Sequence, residues 1–242
     1  MKLPEHERAA HREAFRAMSI PQKAEYIFAY YKLPLVLLLI AIVALGSVAK
    51  YFLTYKNAVL YAAYANVTLT DEQDSDLFDG FLDSIGVNQR KNEVYRYRDL
   101  YLVEVDDTVD HQYSYASRIK TLAAIDAEEL DIVLMSKAAY DLLSNSGYLM
   151  DLEKVISDNP SLLPVRADLV QNVVVLEDNR VEVELNEADT YEAVTEDAFN
   201  ALDVTEVLTS ENDLTGTVYL GIIGNSPRLD AVVSFITYLY SL

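Results

Sequence analysis

No charged residue interrupts the chain between Leu33 and Ala49, and continuing past Lys50 to Leu53 gives twenty-one residues, about 31 Å of helix at ~1.5 Å per residue. That length spans a bilayer core. Lys50 lies near one end, where its stem can follow the apolar surface while the ammonium reaches the headgroups. Tyr26, Phe28, Tyr30 and Tyr31 precede the run, and Tyr51, Phe52 and Tyr55 follow it, as interfacial aromatic belts require. A cleaved export signal is the rival reading, with Ser47-Val48-Ala49 as a small-x-small site. A signal's apolar stretch is about 7 to 15 residues behind a short leader, and both are longer here, so the pattern predicts a retained single-pass anchor over 33–53.

Before the anchor, "PEHERAAHREAFRAM" has helix-forming composition, with Pro4 in a first turn and Glu5 and Glu7 near the helix N-terminus. Ser19 followed by Gln22 forms a second helix start that runs into the span. Residues 1–32 therefore read as a helical stub.

Behind the anchor, short apolar runs alternate with helical periodicity. "NAVLYAAYANVTL" (57–69) reads as a buried strand, Thr70 as an N-cap, and Leu77, Phe78, Phe81, Leu82 and Ile85 as the apolar face of a helix. "EVYRYRDLYLVEV" (93–105) alternates as a strand, and Ile119, Leu122, Ala123 and Leu130 predict a helix. "DIVLM" (131–135) is a strand, and a helix through Ala139, Tyr140, Leu142 and Leu143 closes near Gly147, with "YLMDL" as the next strand. This order predicts βαβ units and a largely parallel sheet. Beyond Pro160 and Pro164, "NVVVLEDNRVEVEL" (172–185) reads as a hairpin turning at Asp178-Asn179, and "EDAFNALDV" as a small helix. "GTVYLGII" returns to buried-strand composition, and Ser226 with Pro227 starts a last helix striped by Leu229, Val232, Val233, Ile236 and Leu239.

Charge narrows the partners. The chain carries −20 overall, but residues 57–242 hold thirty-five Asp/Glu against eleven Lys/Arg. Such a surface repels DNA, RNA and anionic headgroups, so no nucleic-acid partner is expected. Near the span, Arg16, Lys23 and Lys32 on the amino side outnumber Lys50 and Lys56, which favours an amino terminus inside the cell and a domain 57–242 outside it. Those 186 residues bury roughly 70% of the unfolded chain's surface and need no staples. Cysteine is absent, which removes disulfides, zinc-thiolate sites, thiol nucleophiles and lipidated cysteine.

Catalytic and metal chemistry finds little footing. His6 and His11 are five apart, off the spacing that places two ligands on one helical face, so no metal is expected there. Asp71, Asp74, Asp76 and Asp79 invite a calcium loop, but the alternating ligands, the glycine and the closing glutamate of such a loop do not line up. His111, beside Asp106, Asp107 and Asp110, reads as a surface residue, and no H-E-x-x-H, phosphate loop or nucleophile elbow occurs. The expectation is a non-enzymatic chain without a cofactor.

Two stretches carry a family resemblance: "LDIVLMSKAAYDLLSNSGYLMDL" (130–152) and "VYLGIIGNSPRLDAVVSFITYL" (218–239). They resemble extracellular solute-binding proteins of bacterial ABC transporters, in which a strand opening on Asp leads through a helix to a Gly-x-Leu-x-Asp-Leu turn, matched by Gly147, Leu149, Asp151 and Leu152. A later strand, small-residue loop and helix are matched by Gly224, Asn225, Ser226, Phe235, Tyr238 and Leu239. The leader "EYIFAYYKLPLVLLL" resembles that of membrane-anchored Firmicutes proteins carrying such domains. The resemblance implies a periplasmic-binding-protein-like α/β domain behind a transmembrane helix, with a reduced second lobe near 162–215, because members of the family are much longer than 186 residues. It also implies recognition of a small solute, in transport or sensing. The missing length favours the alternative of a ligand-free interaction module that binds a membrane-protein partner in an envelope or transporter complex. Open α/β sheets hold ligands beyond the carboxyl ends of their strands, where helix N-termini present free N–H groups. On that rule Ser136, Asn225 and Ser226 are the expected ligand-binding residues.

Overall fold

The protein is described from a computed structural model over residues 15–103, 111–185, 190–209 and 216–242. Two units are present, Met1–Tyr55 and Lys56–Leu242. His6, His11, Glu5, Glu7 and the opening of the amino-terminal stub lie outside the described residues, as do Asp106, Asp107 and Asp110. So do the side chains of Tyr26, Tyr30 and Tyr31.

In the first unit, helix α1 runs Ile20–Thr54, and the Ser19 N–H donates to Gln22 Oε1 at 3.0 Å where it begins. Its segment Lys32–Phe52 is 21 residues long and apolar enough to cross a membrane, with none of that segment buried inside the unit. Phe28, Tyr51, Phe52 and Tyr55 at its two ends are exposed.

The second unit is built on one six-stranded mixed sheet in the order β2-β1-β3-β6-β5-β4. The strands are β1 (Asn57–Ala65), β2 (Asn92–Leu100), β3 (Ile132–Met135), β4 (Leu169–Asp178), β5 (Ala193–Asp203) and β6 (Tyr219–Ile222). β1 pairs in parallel with β2 and β3, whereas β6 runs antiparallel to β3 and to β5, and β4 antiparallel to β5. Only half of the sheet therefore has the parallel character that the alternation of elements predicts. Strand periodicity divides the core. Leu60, Ala62, Tyr64, Ile132 and Leu134 point to one face, and Ala63, Ala65, Val133 and Met135 to the other.

Helix α2 (Asp71–Ser84) starts at Thr70, whose hydroxyl accepts the Gln73 N–H while Gln73 Oε1 accepts the Thr70 N–H. Phe78 and Phe81 from α2 meet Phe235 from the last helix, with Phe78 and Phe235 stacked at a centroid distance of 5.2 Å. On the other face lie α3 (His111–Asp126) and α4 (Lys137–Asn145). The predicted face of α3 is corrected: Ile119 and Ala123 are exposed, and Ser114, Ser117, Thr121, Ala124 and Ile125 are buried. These small and polar residues keep helical spacing and serve the turn after β2, where Ser117 Oγ accepts the Tyr101 N–H at 3.2 Å and Arg118 Nε donates to the Leu102 carbonyl at 2.7 Å.

After Gly147, which adopts φ +71° as the helix stop requires, "YLMDL" contributes a single bridge from Leu149 to Ile223 rather than a strand. Helix α5 (Leu152–Asp158) and a 3₁₀ segment (Pro160–Asp168) follow. The residues expected to form a second lobe instead give β4 and β5 to the same sheet. β4 is the strand expected at 172–178, but the two segments after it exchange the structures expected of them. "RVEVE" is a short helix, α6 (Arg180–Glu184), and "EDAFNALD" is the body of β5. Helix propensity in Glu196, Ala198 and Ala201 yields to the β4 ladder, while 180–184, with no ladder partner among the described residues, close their backbone bonds locally, Val183 to Asn179 and Leu185 to Val181. Short α7 (Thr205–Thr209) precedes β6, and α8 (Leu229–Leu239) buries Val232, Phe235, Ile236 and Leu239.

Candidate functional site

The expected ligand residues do not converge. Ser136 caps α4 at the carboxyl end of β3, its hydroxyl facing the Ala139 N–H at 3.5 Å. Because β6 is antiparallel to β3, its carboxyl end returns to the opposite rim, beside Asp131, roughly 16 Å away at ~3.3 Å per residue. There Asn225 Nδ2 donates to the Ile125 carbonyl at 2.7 Å and Ser226 Oγ to Asp131 Oδ1 at 2.6 Å. Asp131 is fully buried and also accepts the Tyr61 N–H at 2.7 Å and Arg228 Nε at 2.8 Å. The Arg228 guanidinium lies 4.5 Å from the Tyr61 ring centroid and also donates to the Glu128 carbonyl. Ser226 and Asp131 thus form a filled structural clamp. The carboxyl end of β1 is closed as well, since Asn66, at φ +55°, accepts the N–H groups of Leu102 and Val103 at 2.9 and 3.1 Å.

A second buried charge cluster sits over the β2 edge. Asp74 in α2 accepts from the Tyr64 hydroxyl and Arg98, and pairs with Arg96 at 3.2 Å, while Arg96 reaches Asp79 at 2.7 Å. Burial, with the Asp74 carboxylate adding to it, holds the Tyr64 hydroxyl far above the usual phenol value. Arg98 also pairs with Asp71 at 2.8 Å, so three carboxylates share two guanidiniums and fasten α2 to β1 and β2.

Open space occurs where the antiparallel half of the sheet splits. β5 pairs with β6 only through Leu202 to Leu220 and Asp203 to Tyr219. One turn of the ladder further on, β6 has exchanged partners: the Met150 N–H donates to the Ile222 carbonyl at 2.8 Å and the Gly224 N–H to the Tyr148 carbonyl at 2.9 Å. Gly221 makes the exchange sterically feasible, because a Cβ there would stand 2.7 Å from Met135 Cε and 3.0 Å from Leu149 Cδ2. β5 consequently leaves β6 behind and continues beside β4 alone.

Between the Leu149–Glu153 segment and β5 lies a cleft of about 300 Å³, lined by Leu149, Asp151, Glu153, Glu196, Asp197, Ala198, Phe199 and Asn200. Four of these eight side chains are carboxylates. Asp151 caps α5 by accepting the Glu153 N–H at 2.9 Å, and Glu153 pairs with Arg166 at 2.8 Å. Among the described residues, Glu196 and Asp197 have no cationic partner, and both are exposed. The cleft floor is firm: Asn200 accepts the Tyr140 hydroxyl at 2.8 Å and donates to Ser144 Oγ at 2.9 Å, and Asn172 donates to the same Oγ at 3.0 Å. A smaller apolar pocket of about 140 Å³ lies between α3 and α4, against Leu102, Arg118 and Tyr148.

Leu149 and Asp151 belong to the turn that the sequence singles out, whereas the sequence pattern does not bring Glu196, Asp197 or Asn200 into a site. The signal available for them is the β-rich run "TYEAVT" just ahead, which favours continuation of a strand into "EDAFN". Among the described residues no group of three or more His, Cys, Asp or Glu side chains that could hold a metal ion is assembled, and the cleft is lined on four of its eight positions by carboxylates. Scanning the chain against protein-family models and searching the curated proteins produced no match.

Proposed function

We propose that the chain is a single-pass membrane protein, anchored by residues 33–53 with its amino terminus inside the cell, whose extracytoplasmic domain binds a small, positively charged solute. The observation that carries this reading is the cleft where β5 parts from β6. Asp151, Glu153, Glu196 and Asp197 surround about 300 Å³, and among the described residues only Arg166 pairs with any of them. The four carboxylates and the Leu149 side chain among the lining suit an ammonium or guanidinium on a short apolar stem. The turn Gly147-x-Leu149-x-Asp151-Leu152, on which the resemblance to solute-binding proteins rests, forms one wall. The domain acts as a receptor in transport or sensing, not as an enzyme.

Calorimetric titration of the full chain in nanodiscs of zwitterionic lipid tests this reading. Spermidine, putrescine and arginine are expected to bind and to raise the melting temperature, by about 2.7 kcal/mol of stabilisation at a hundred times Kd. Glutamate and neutral sugars are expected to do neither, and binding by the sugars alone would overturn the reading.

The second reading, an interaction module of an envelope or transporter complex, has one observation in its favour. Val173, Leu176 and Val194 on the projecting β4–β5 ribbon are each more than half exposed.

A further inference from the structure

We infer that the ligand of the acidic cleft is an extended basic peptide, which adds as a strand to the open edge of β5. This rests on the cationic-ligand reading above and narrows it from a charge to a backbone.

Strand β5 is paired along one side only. β4 follows it from Leu202 out to Ala193, but β6 accompanies it only at Leu202 and Asp203, where the Leu149 bridge takes over the edge of β6. Asn200 sits at an irregularity of the β4 ladder, and from Phe199 outward to Thr195 every second residue of β5 turns its N–H and C=O away from β4, where among the described residues no backbone partner meets them. Such an edge is a template for strand addition. Soluble proteins protect exposed edges with lysine or proline, and "AVTEDAFN" contains neither. At ~3.4 Å per residue the free edge is about 25 Å long, enough for a peptide of roughly seven residues. The cleft lies at its inner end and is sized for one or two side chains of that peptide.

Charge selects the occupant. Between Leu169 and Asp203 the chain carries ten Asp/Glu and one Arg. A second copy would oppose acid to acid at this edge, and anionic headgroups would be repelled in the same way. A peptide alternating Lys or Arg with β-branched residues answers both features: its backbone completes the ladder, and its cations, all on one face, meet whichever of Glu196 and Asp197 shares that face, in a cleft that Asp151 and Glu153 also line. A free polyamine supplies the second feature and not the first.

The test uses the full chain in zwitterionic nanodiscs and a fluorescent heptapeptide alternating Lys and Val, together with two versions N-methylated at alternate residues, one in each frame. N-methylation removes backbone donors without changing charge. Strand addition predicts that one frame loses at least tenfold in affinity while the other binds like the parent, because only one frame faces the edge. It also predicts that the exposed double variant Glu196→Gln, Asp197→Asn weakens the parent peptide by about tenfold. If both frames bind like the parent, or the double variant leaves binding unchanged, strand addition at β5 is overturned. Should that occur while spermidine still binds and depends on Glu196 and Asp197, the cationic-solute reading survives alone. If neither peptide nor spermidine binds, both are overturned.

Discussion

Arg228 Nε donates to Asp131 Oδ2 at 2.8 Å, joining the loop ahead of α8 to the first residue before β3. Asp131 is wholly buried and Arg228 about a quarter exposed, so the pair is held in a medium where an unpartnered carboxylate is costly. Removing Arg228 leaves that carboxylate with only the Ser226 hydroxyl and the Tyr61 N–H. Arg228→Ala is therefore expected to destabilise the domain by about 3–5 kcal/mol, and Ser226→Ala by about 1 kcal/mol. Urea unfolding of the two variants checks the order. Equal losses would mean that Ser226 does more than fill one acceptor position.

Asp79 gives the domain an acid-sensitive contact. Partial burial alone would raise its carboxyl, but the Ser75 hydroxyl and the Arg96 guanidinium outweigh that and hold it below its ordinary 3.8. A lowered folded value means that the unfolded chain takes up the proton first. The contribution is whole above the ordinary value and is lost as pH falls through the folded one. Asp79→Asn is expected to leave the melting temperature near neutrality little changed, since the half-exposed site is screened by solvent, and to flatten its fall below about pH 4. A melting-temperature series against pH for the two proteins measures the difference in slope.

Tyr140 works in the opposite direction. Burial, helped by the Asp141 carboxylate and by Tyr219, pushes its hydroxyl up to about 12 from an ordinary 10.0. Folding thus holds this proton more tightly than the unfolded chain does, and the stability it contributes is complete below about pH 10 and lost as pH rises through about 12. Tyr140→Phe removes the donor to Asn200 Oδ1 and is expected to cost about 1–2 kcal/mol at neutral pH. It is also expected to remove one tyrosine from the part of the phenolate absorbance rise near pH 12 in an alkaline titration of the native protein. A loss of absorbance near pH 10 instead would place Tyr140 in an ordinary, water-exposed setting.

The elements legible ahead of the structure are those whose apolar period matches their burial. β1, α2, β3, α4 and α8 are of this kind, because Leu60, Phe78, Ile132, Tyr140 and Ile236 occupy the positions that their periodicity assigns to the core. Periodicity misleads where burial does not follow hydrophobicity. α3 turns Ser114, Ser117 and Thr121 inward to serve the backbone after β2, and no apolar count finds such a face. β5 differs for another reason: its residues favour a helix locally, and only the ten-residue partner β4 makes them a strand. The site moves with it. Ser136, Asn225 and Ser226 share a rim only if β6 runs parallel to β3, and one reversed strand carries two of the three to the far rim. What local sequence does carry is the wall of the cleft, since Gly147, Leu149 and Asp151 act locally, as a left-handed stop, a bridge and a helix cap.

The bridge is the last of these to test, because the cleft exists only if Leu149 displaces β5 from β6. Gly221 is the position that controls it. A Cβ there would meet Met135 Cε at 2.7 Å and Leu149 Cδ2 at 3.0 Å. Met135 has a flexible thioether that can turn aside, whereas Leu149 is held by the backbone bonds on either side of it, Met150 to Ile222 and Gly224 to Tyr148. Gly221→Ala is therefore expected to cost about 1–3 kcal/mol and to loosen those two bonds selectively. Amide hydrogen exchange should quicken at Met150 and Gly224 while the β3–β6 ladder from Ile132 to Met135 keeps its protection. Adding Leu149→Ala to Gly221→Ala relieves the contact at its source, and part of the lost stability should return, a non-additivity that neighbouring side chains produce and distant ones do not. If exchange quickens evenly along the whole of β6, the alanine has strained the strand rather than the bridge, and Leu149 is a passenger at the split instead of its cause.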